Sequence, residues 1–170
     1  MVACLGVLSF GLLDGLLLAA VGSLVMLIAQ TSRPEVVALG RDRSTGYFVS
    51  RARNPDASDT PRALVVRSTS TWLYYNAEHI RRQILDMVDT APAQIRTVVL
   101  DFSSVPTVDI TAGMILRGLV RALKDRGIRV EIAELRDEVV ENLKIIGADQ
   151  DLGSIVAHRT IDDCLAASKD

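Results

Sequence analysis

Histidine and cysteine are scarce in this chain of 170 residues, which contains only two of each. Cys4 and Cys164 lie at opposite ends of the sequence, so no disulfide is expected and a reducing cytoplasm is the default setting. His79 and His158 have no histidine or cysteine neighbours at the spacing that metal ligands need. The sequence therefore predicts no metal site.

The common catalytic and phosphate-binding motifs are also missing. Neither Gly-x-x-x-x-Gly-Lys-Ser/Thr nor Gly-x-Gly-x-x-Gly occurs, and there is no Gly-x-Ser-x-Gly elbow. We therefore assign no catalytic residue and no cofactor, and an enzyme is the weakest of the functional interpretations. The 19 basic and 21 acidic side chains are nearly balanced, and a nucleic-acid-binding face would need a basic excess.

Charge is almost absent from residues 1–32, where Asp14 is the only charged side chain. Within them Leu5–Ile28 is almost entirely apolar, and as a helix it would be about 36 Å long. That length crosses a hydrocarbon core of about 30 Å. A secretory signal peptide is the alternative, but it would begin with basic residues, and the first one here is Arg33. We therefore predict a transmembrane helix over 1–32.

The arginines that follow this segment place its C-terminal side in the cytoplasm, so we expect the inner membrane with the remaining domain in the cytoplasm. Small residues spaced four apart form one helix face: Gly11, Gly15, Ala19 and Ser23. Such a face lets a second helix approach closely, and Asp14 beside it is costly in lipid unless it faces protein or water. The expected partners are thus the membrane and further transmembrane helices. A protonated or interfacial Asp14 is the alternative.

The rest of the chain divides into a cytoplasmic linker, 33–61, and a folded domain, 62–170. We predict strands at Tyr47–Ser50 (the possible first strand, inside the linker), Ala63–Arg67, Thr71–Tyr75, Thr97–Leu100, 128–132 and Ile155–Ala157. We predict helices from Asn76, Asp109, Arg136 and Thr160, ending near Val88, Arg126, Ile146 and Ala167. This alternation predicts an α/β domain with a parallel or mixed sheet.

One loop carries a candidate site. A buried strand ends at Asp101, and Asp109 opens a helix whose first turn contains Thr111. Ligands of α/β sheets bind beyond the carboxyl ends of strands, and a helix N-terminus favours anions. A phosphate on Thr111 would gain from the helix dipole and be repelled by Asp109. The alternative is simple helix capping without further function.

Two stretches of this region, Val98–Ser104 and Asp109–Gly113, resemble the STAS domain pattern. The resemblance implies a central mixed sheet of four to five strands with helices mainly on one face. It also implies a ligand- or partner-binding loop made of Asp101, Ser103, Ser104, Asp109, Ile110, Thr111, Ala112 and Gly113. Thr111 matches the phosphorylatable position of anti-sigma-factor antagonists, although Ile110 and Ala112 depart from the antagonist pattern.

Further stretches are similar to the SulP (sulfate permease) branch: Ser32–Arg41, Trp72–Glu78 and the apolar block with Asp14-Gly15. This resemblance implies the last membrane helix and regulatory STAS module of a sulfate-like anion transporter, a fragment unable to transport alone. The module would act through the membrane domain, a second STAS domain, a regulatory protein or a nucleotide. The alternative is a stand-alone membrane-anchored STAS protein that works as a phosphorylation-controlled interaction switch.

Overall fold

The computed structural model describes residues 12–31, 34–92, 94–152 and 155–167. The chain divides into two compact units, Met1–Arg33 and Pro34–Asp170. The first unit contains helix α1, Leu12–Thr31, along which most of the described leucine and valine side chains are exposed. The predicted span Leu5–Ile28 begins among residues outside the described ones, so it stays a prediction.

No helix of the described residues is long and apolar enough to cross a membrane.

Five strands in the second unit form one mixed sheet. They are β1 Val36–Arg41, β2 Phe48–Ser50, β3 Ala63–Ser68, β4 Thr97–Asp101 and β5 Arg129–Ala133. Their order is β2-β1-β3-β4-β5, in which β1 is antiparallel to both neighbours and β3, β4 and β5 are parallel. Every residue of β4 is buried, as its unbroken apolar run predicts. The predicted α/β fold with a mixed sheet is therefore confirmed.

Helices cover both faces of this sheet, but mainly one. They are α2 Ala77–Asp89, α3 Ile110–Asp125, α4 Asp137–Ile145, α5 Asp149–Leu152 and α6 Ile161–Ala167. The larger core joins buried residues of α2, α3 and α4 to one face of the sheet. Ile161 and Cys164 of α6 pack with Val99 and Ala133 on the other face. Apolar residues at 128, 130 and 132 alternate with Arg129 and Glu131, which predicts a strand covered on one side only; helices instead cover both faces of β5, so this prediction is wrong.

The segment 33–61 contributes more structure than a linker with one strand. Phe48–Ser50 confirms the short strand, but Val36–Arg41 forms a second strand that pairs on both sides. Gln83 of α2 holds the start of this strand, because its amide donates to the Pro34 carbonyl (2.8 Å) and accepts from the Val36 N–H (3.1 Å). An apolar run of four residues, from Val36 to Leu39, was the available signal.

Two predicted strands are wrong. Residues Thr71–Tyr75 form a loop and turn with a single bridge, between Trp72 and Val108, and Ile155–Ala157 joins no strand. The first stretch carries Trp72 because that side chain is buried in the core, not because the stretch pairs as a strand.

The helix ends follow the predicted caps with one exception. Thr160 and Asp163 exchange hydrogen bonds, with the Thr160 N–H 3.0 Å from Asp163 Oδ2 and the Asp163 N–H 3.2 Å from Thr160 Oγ1. Asn76, by contrast, does not cap α2 with its side chain. Its amide turns back, accepting from the Leu73 N–H and donating to the Thr71 carbonyl, both at 2.9 Å.

The buried stripe of α3 also differs from prediction. The apolar spacing of the sequence predicts a buried stripe of Met114, Ile115, Leu119 and Leu123, but Met114 is 54% exposed and Ile115 is only partly buried. The stripe instead consists of Ala112, Gly113, Leu116, Leu119, Val120 and Leu123. Leu119 and Leu123 confirm the second half of the predicted stripe. Small residues occupy the first turn because α3 meets the end of α4 there.

Candidate functional site

The candidate site lies where β4 ends and α3 begins. Asp101 is the last residue of β4 and pairs in register with Arg67 of the parallel neighbour β3. Nε and Nη2 of Arg67 both lie 2.6 Å from Asp101 Oδ2, and the Ser103 N–H donates to Oδ1 at 2.8 Å. The Asp101 side chain is fully buried. Its carboxylate thus fixes the start of the loop from two sides.

The loop Phe102–Asp109 is apolar on the side that faces the core. Phe102, Val105 and Val108 are buried, and the ring of Phe102 lies 5.5 Å from that of Trp72, centroid to centroid. The bridge between Trp72 and Val108 ties the loop to the turn before α2. The loop is therefore held by the core along its length, and its exposed residues are presented on a fixed backbone.

Asp109 connects the two elements that border the loop. Its Oδ1 accepts from the Ala112 N–H at 2.7 Å, which confirms the predicted cap of α3. Its Oδ2 accepts from the Tyr74 N–H, also at 2.7 Å. One carboxylate therefore fixes the N-terminus of α3 and the turn that leads into α2. Sequence reasoning missed Tyr74, because its aromatic stretch was interpreted as a strand.

Apolar side chains are exposed on the outer side of this junction. Tyr74 is 68% and Ile110 65% exposed, and Met114 follows Ile110 by one helical turn. Thr111 is exposed among them. We call Tyr74, Ile110, Thr111 and Met114 the α3 face. An exposed apolar group on a rigid backbone is suited to contact another protein surface.

Ala112 and Gly113 point the other way. Both are buried, and a Cβ built on Gly113 would overlap Cδ1 of Ile146, the residue that follows α4. Asn142 of α4 also reaches the loop, with its amide 3.5 Å from the Val108 carbonyl. These two predicted site residues therefore pack α3 against α4 and do not line the exposed face.

The remaining predicted residues are distributed as follows. Ser103 and Ser104 are exposed in the turn after β4. In α1, Asp14 and Ser23 are exposed, Ala19 is half-buried and Gly15 is buried, whereas Gly11 lies outside the described residues. Helix packing by these small residues stays a prediction. In the described part of the chain, no group of three or more His, Cys, Asp or Glu side chains is placed to hold a metal ion.

Comparison with known families agrees with this architecture. A family model described as "STAS domain" matches residues 54–164, which is more than half of the chain. The chain belongs to the STAS domain family. The buried strand ending in Asp101 and the helix that opens at Asp109 both lie inside the region of this STAS domain that the family model matches.

Curated relatives of this STAS protein are named as sulfate transporters. "Low affinity sulfate transporter 3" from Stylosanthes hamata is 29% identical over 184 residues, which cover 97% of this chain and 28% of the relative. "Sulfate transporter 2.2" from Arabidopsis thaliana is 30% identical over 175 residues, covering 96% and 26% respectively. The chain thus spans about a quarter of the length of these relatives.

A solved structure shows the same fold in a membrane transporter. The murine anion transporter Solute Carrier 26 family member A9 in its inward-facing state matches with a TM-score of 0.81 and 20% identity. The match covers 99% of this chain and 28% of that one. The STAS fold described above is therefore shared with part of an anion transporter.

Proposed function

We propose that this STAS domain is the cytoplasmic regulatory module of a SulP-type transporter for sulfate or a similar inorganic anion. In this proposal residues 1–32 supply the transporter's final membrane helix. The anion path belongs to other membrane helices, so the chain does not transport by itself. The named relatives support the proposal because they match nearly the whole chain, including its apolar N-terminal segment.

The α3 face carries the regulatory part of the proposal. Tyr74 and Ile110 have large, exposed apolar side chains. The Asp109 carboxylate fixes the backbone beside both, because it accepts from the Tyr74 and Ala112 N–H groups at 2.7 Å. A preorganised surface loses little conformational entropy when a partner binds. We propose that this surface contacts the transporter's membrane domain, a second STAS domain or a regulatory protein, and thereby biases transport.

Sulfate uptake in a bacterium that lacks its own sulfate transporters tests this function. The chain replaces the matching region of "Sulfate transporter 2.2", and uptake is compared among the intact relative, the chimera and the relative cut before the replaced region. We expect the chimera to restore uptake above the truncated form. We also expect Ile110→Asp to reduce uptake at equal membrane abundance. Glu138→Lys, at an exposed position of α4, should leave uptake unchanged.

Two results would contradict the proposal. One is a chimera that reaches the membrane at normal abundance and transports no better than the truncated relative. The other is found in the DNA before Met1: a ribosome-binding site there, without an open frame continuing upstream, favours a stand-alone protein. An in-frame extension that encodes further apolar helices agrees with the transporter.

The exposure of Thr111 supports a second candidate, a stand-alone membrane-anchored STAS switch controlled by phosphorylation. The Thr111 hydroxyl lies in the first turn of α3, beside the exposed Ile110. Phosphate there would add about two negative charges to an apolar surface and would prevent an apolar partner from binding.

Labelling with radioactive ATP in an extract of the source cells tests the switch. Thr111→Ala should abolish incorporation, while Thr107→Ala in the adjacent loop should retain it. Equal labelling of Thr111→Ala and the unchanged chain would exclude this mechanism.

A further inference from the structure

A cavity of about 670 Å³ lies at the sheet edge opposite to the candidate site. It is located at the amino ends of β3 and β4, next to the carboxyl end of β1. Its polar lining includes Arg41, Ser58, Thr60, Arg62, Arg96 and Asp162. The volume lies in the range of cavities that hold small molecules, roughly 300–1,000 Å³.

The acidic side chains at this cavity already have basic partners. Asp162 pairs with Arg41, and Asp59 pairs with Arg51 at 2.9 Å. Arg62 and Arg96 both line the cavity, and within the part of the chain that the structure describes their guanidinium groups make no hydrogen bond or ion pair. Both arginines are exposed to solvent, and among the described residues their two positive charges beside the cavity have no acidic partner.

The backbone brings these two arginines together. Arg62 has a positive φ of 58°, a left-handed conformation that is costly for a residue with a side chain. The conformation is held because the Arg62 carbonyl accepts from the N–H groups of Arg96 (2.8 Å) and Thr97 (3.2 Å). The strained turn thus joins the starts of β3 and β4 and brings both arginine residues to one cavity.

We propose that this cavity binds a small tetrahedral oxyanion, sulfate or phosphate, either free or as the head of a small ester. The planar guanidinium groups of Arg62 and Arg96 donate paired N–H groups to the anion oxygens, a geometry that suits sulfate and phosphate. A dianion balances the two unmatched charges. The half-buried Thr60 hydroxyl supplies an additional donor at the cavity wall. The proposal is independent of the transporter assignment, since it rests on this cavity alone.

Isothermal titration calorimetry of the full 170-residue chain in neutral detergent micelles tests the site. The probes are inorganic sulfate, inorganic phosphate and glycerol phosphate, titrated at constant ionic strength. We expect saturable binding with one anion per chain. Each of Arg62→Ala and Arg96→Ala should weaken binding roughly tenfold or more, because a charge-assisted hydrogen-bonding partner is lost. Arg136→Ala, an equal loss of charge at the opposite sheet edge, should change affinity less than about twofold.

Each result decides for or against the site. Saturation by glycerol phosphate alone supports an ester as the ligand, and saturation by the inorganic ions supports free anions. No saturation by any of the three overturns the proposal, as does unchanged affinity in the Arg62→Ala, Arg96→Ala double variant. An equal loss in Arg136→Ala would show only a general charge effect. If thermal unfolding shows that Arg62→Ala does not fold, Arg62→Gln provides a neutral side chain of similar length.

Discussion

Arg67 and Asp101 face each other across the parallel strands β3 and β4, with both Nε and Nη2 of the arginine 2.6 Å from one carboxylate oxygen. The two sides of this pair are unequal, because the Asp101 side chain is fully buried whereas that of Arg67 is 31% exposed. If its partner is removed, the arginine can turn to water, but the carboxylate cannot. This difference makes the outcome of mutation depend on which partner is changed.

We therefore expect Arg67→Met to destabilise the domain more than Asp101→Asn. The first leaves a buried charge without its partner, at a cost of about 3–5 kcal/mol. The second leaves a neutral amide whose oxygen still accepts from the Ser103 N–H, so the loss of unfolding free energy should be only about 1–2 kcal/mol. Urea unfolding monitored by Trp72, the only tryptophan and itself buried, measures both values. Equal or reversed costs would show that the carboxylate does not depend on Arg67.

Asp109 should behave as a double acceptor. Asp109→Ala removes the cap of α3 and the bond from the Tyr74 N–H, so we expect a loss of about 1–2 kcal/mol of unfolding free energy. Asp109→Asn retains one side-chain oxygen and should lie between the alanine variant and the unchanged chain. The same Trp72 fluorescence reports the order. The double-acceptor role fails if the asparagine variant is as unstable as the alanine variant.

Gly113 should tolerate a methyl group only when Ile146 is shortened. A Cβ at this position overlaps Cδ1 of Ile146, whereas the next nearest atoms, Cγ1 of Ile146 and Cδ2 of Leu143, lie 3.5 and 3.8 Å away. Gly113→Ala alone should therefore cost about 1–3 kcal/mol. In an Ile146→Val background, which lacks Cδ1, the substitution should be neutral or stabilising because alanine favours helix by about 1 kcal/mol.

A double-mutant cycle of these two substitutions provides the measurement. Gly118→Ala is the matched control, since no atom lies within 4 Å of a Cβ there and it belongs to the same helix. Additive effects of Gly113→Ala and Ile146→Val would contradict the proposed close approach of α3 and α4.

Asp151 should make the contact between α3 and α5 sensitive to acid. Hydrogen bonds from Arg121 and then Arg117 lower the pKa of Asp151 from 3.8 to about 2. A folded pKa below the unfolded one stabilises the fold fully above about pH 4, and this contribution is lost as pH falls towards 2. Asp151→Asn should thus be less stable than the unchanged chain at pH 7, with the difference closing in that range.

Unfolding free energies measured from pH 7 to pH 2 in both proteins test this expectation. Asp89→Asn, which breaks the exposed pair with Arg126, controls for the change in net charge. A stability difference between Asp151→Asn and the unchanged chain that stays constant down to pH 2 would refute the assignment.

Much of the domain could be predicted because its strongest signals are local. The buried run Thr97–Leu100, the Asp109 cap and the Thr160–Asp163 capping box each lie within a few residues of sequence. Gly127 and Gly147 follow the helix ends near Arg126 and Ile146, and their positive φ values of 74° and 68° are the conformation that glycine supplies just beyond a helix.

The features that escaped prediction depend on contacts between distant parts of the chain. Arg67 and Asp101 are 34 positions apart in the sequence, and Tyr74 and Asp109, which share a hydrogen bond, are 35 positions apart. Arg62 and Arg96 become neighbours only because β3 and β4 pair. The hydrophobic pattern of each segment does not identify which strands lie side by side, so neither the contacts that support the loop nor the basic cavity could be predicted from it.

The placement of β1 has a mechanical consequence. Only residues 32–35 separate Thr31, the end of α1, from Val36, and β1 is hydrogen-bonded along both edges while Gln83 holds its first residues. A pull on Val36 directed along β1 would load the ladder to β3 in shear first, and the ladder to β2 only from Leu39 onward. A pull of this kind cannot peel the sheet one bond at a time. Several hydrogen bonds of the ladder to β3 must therefore break together before β1 can leave the sheet.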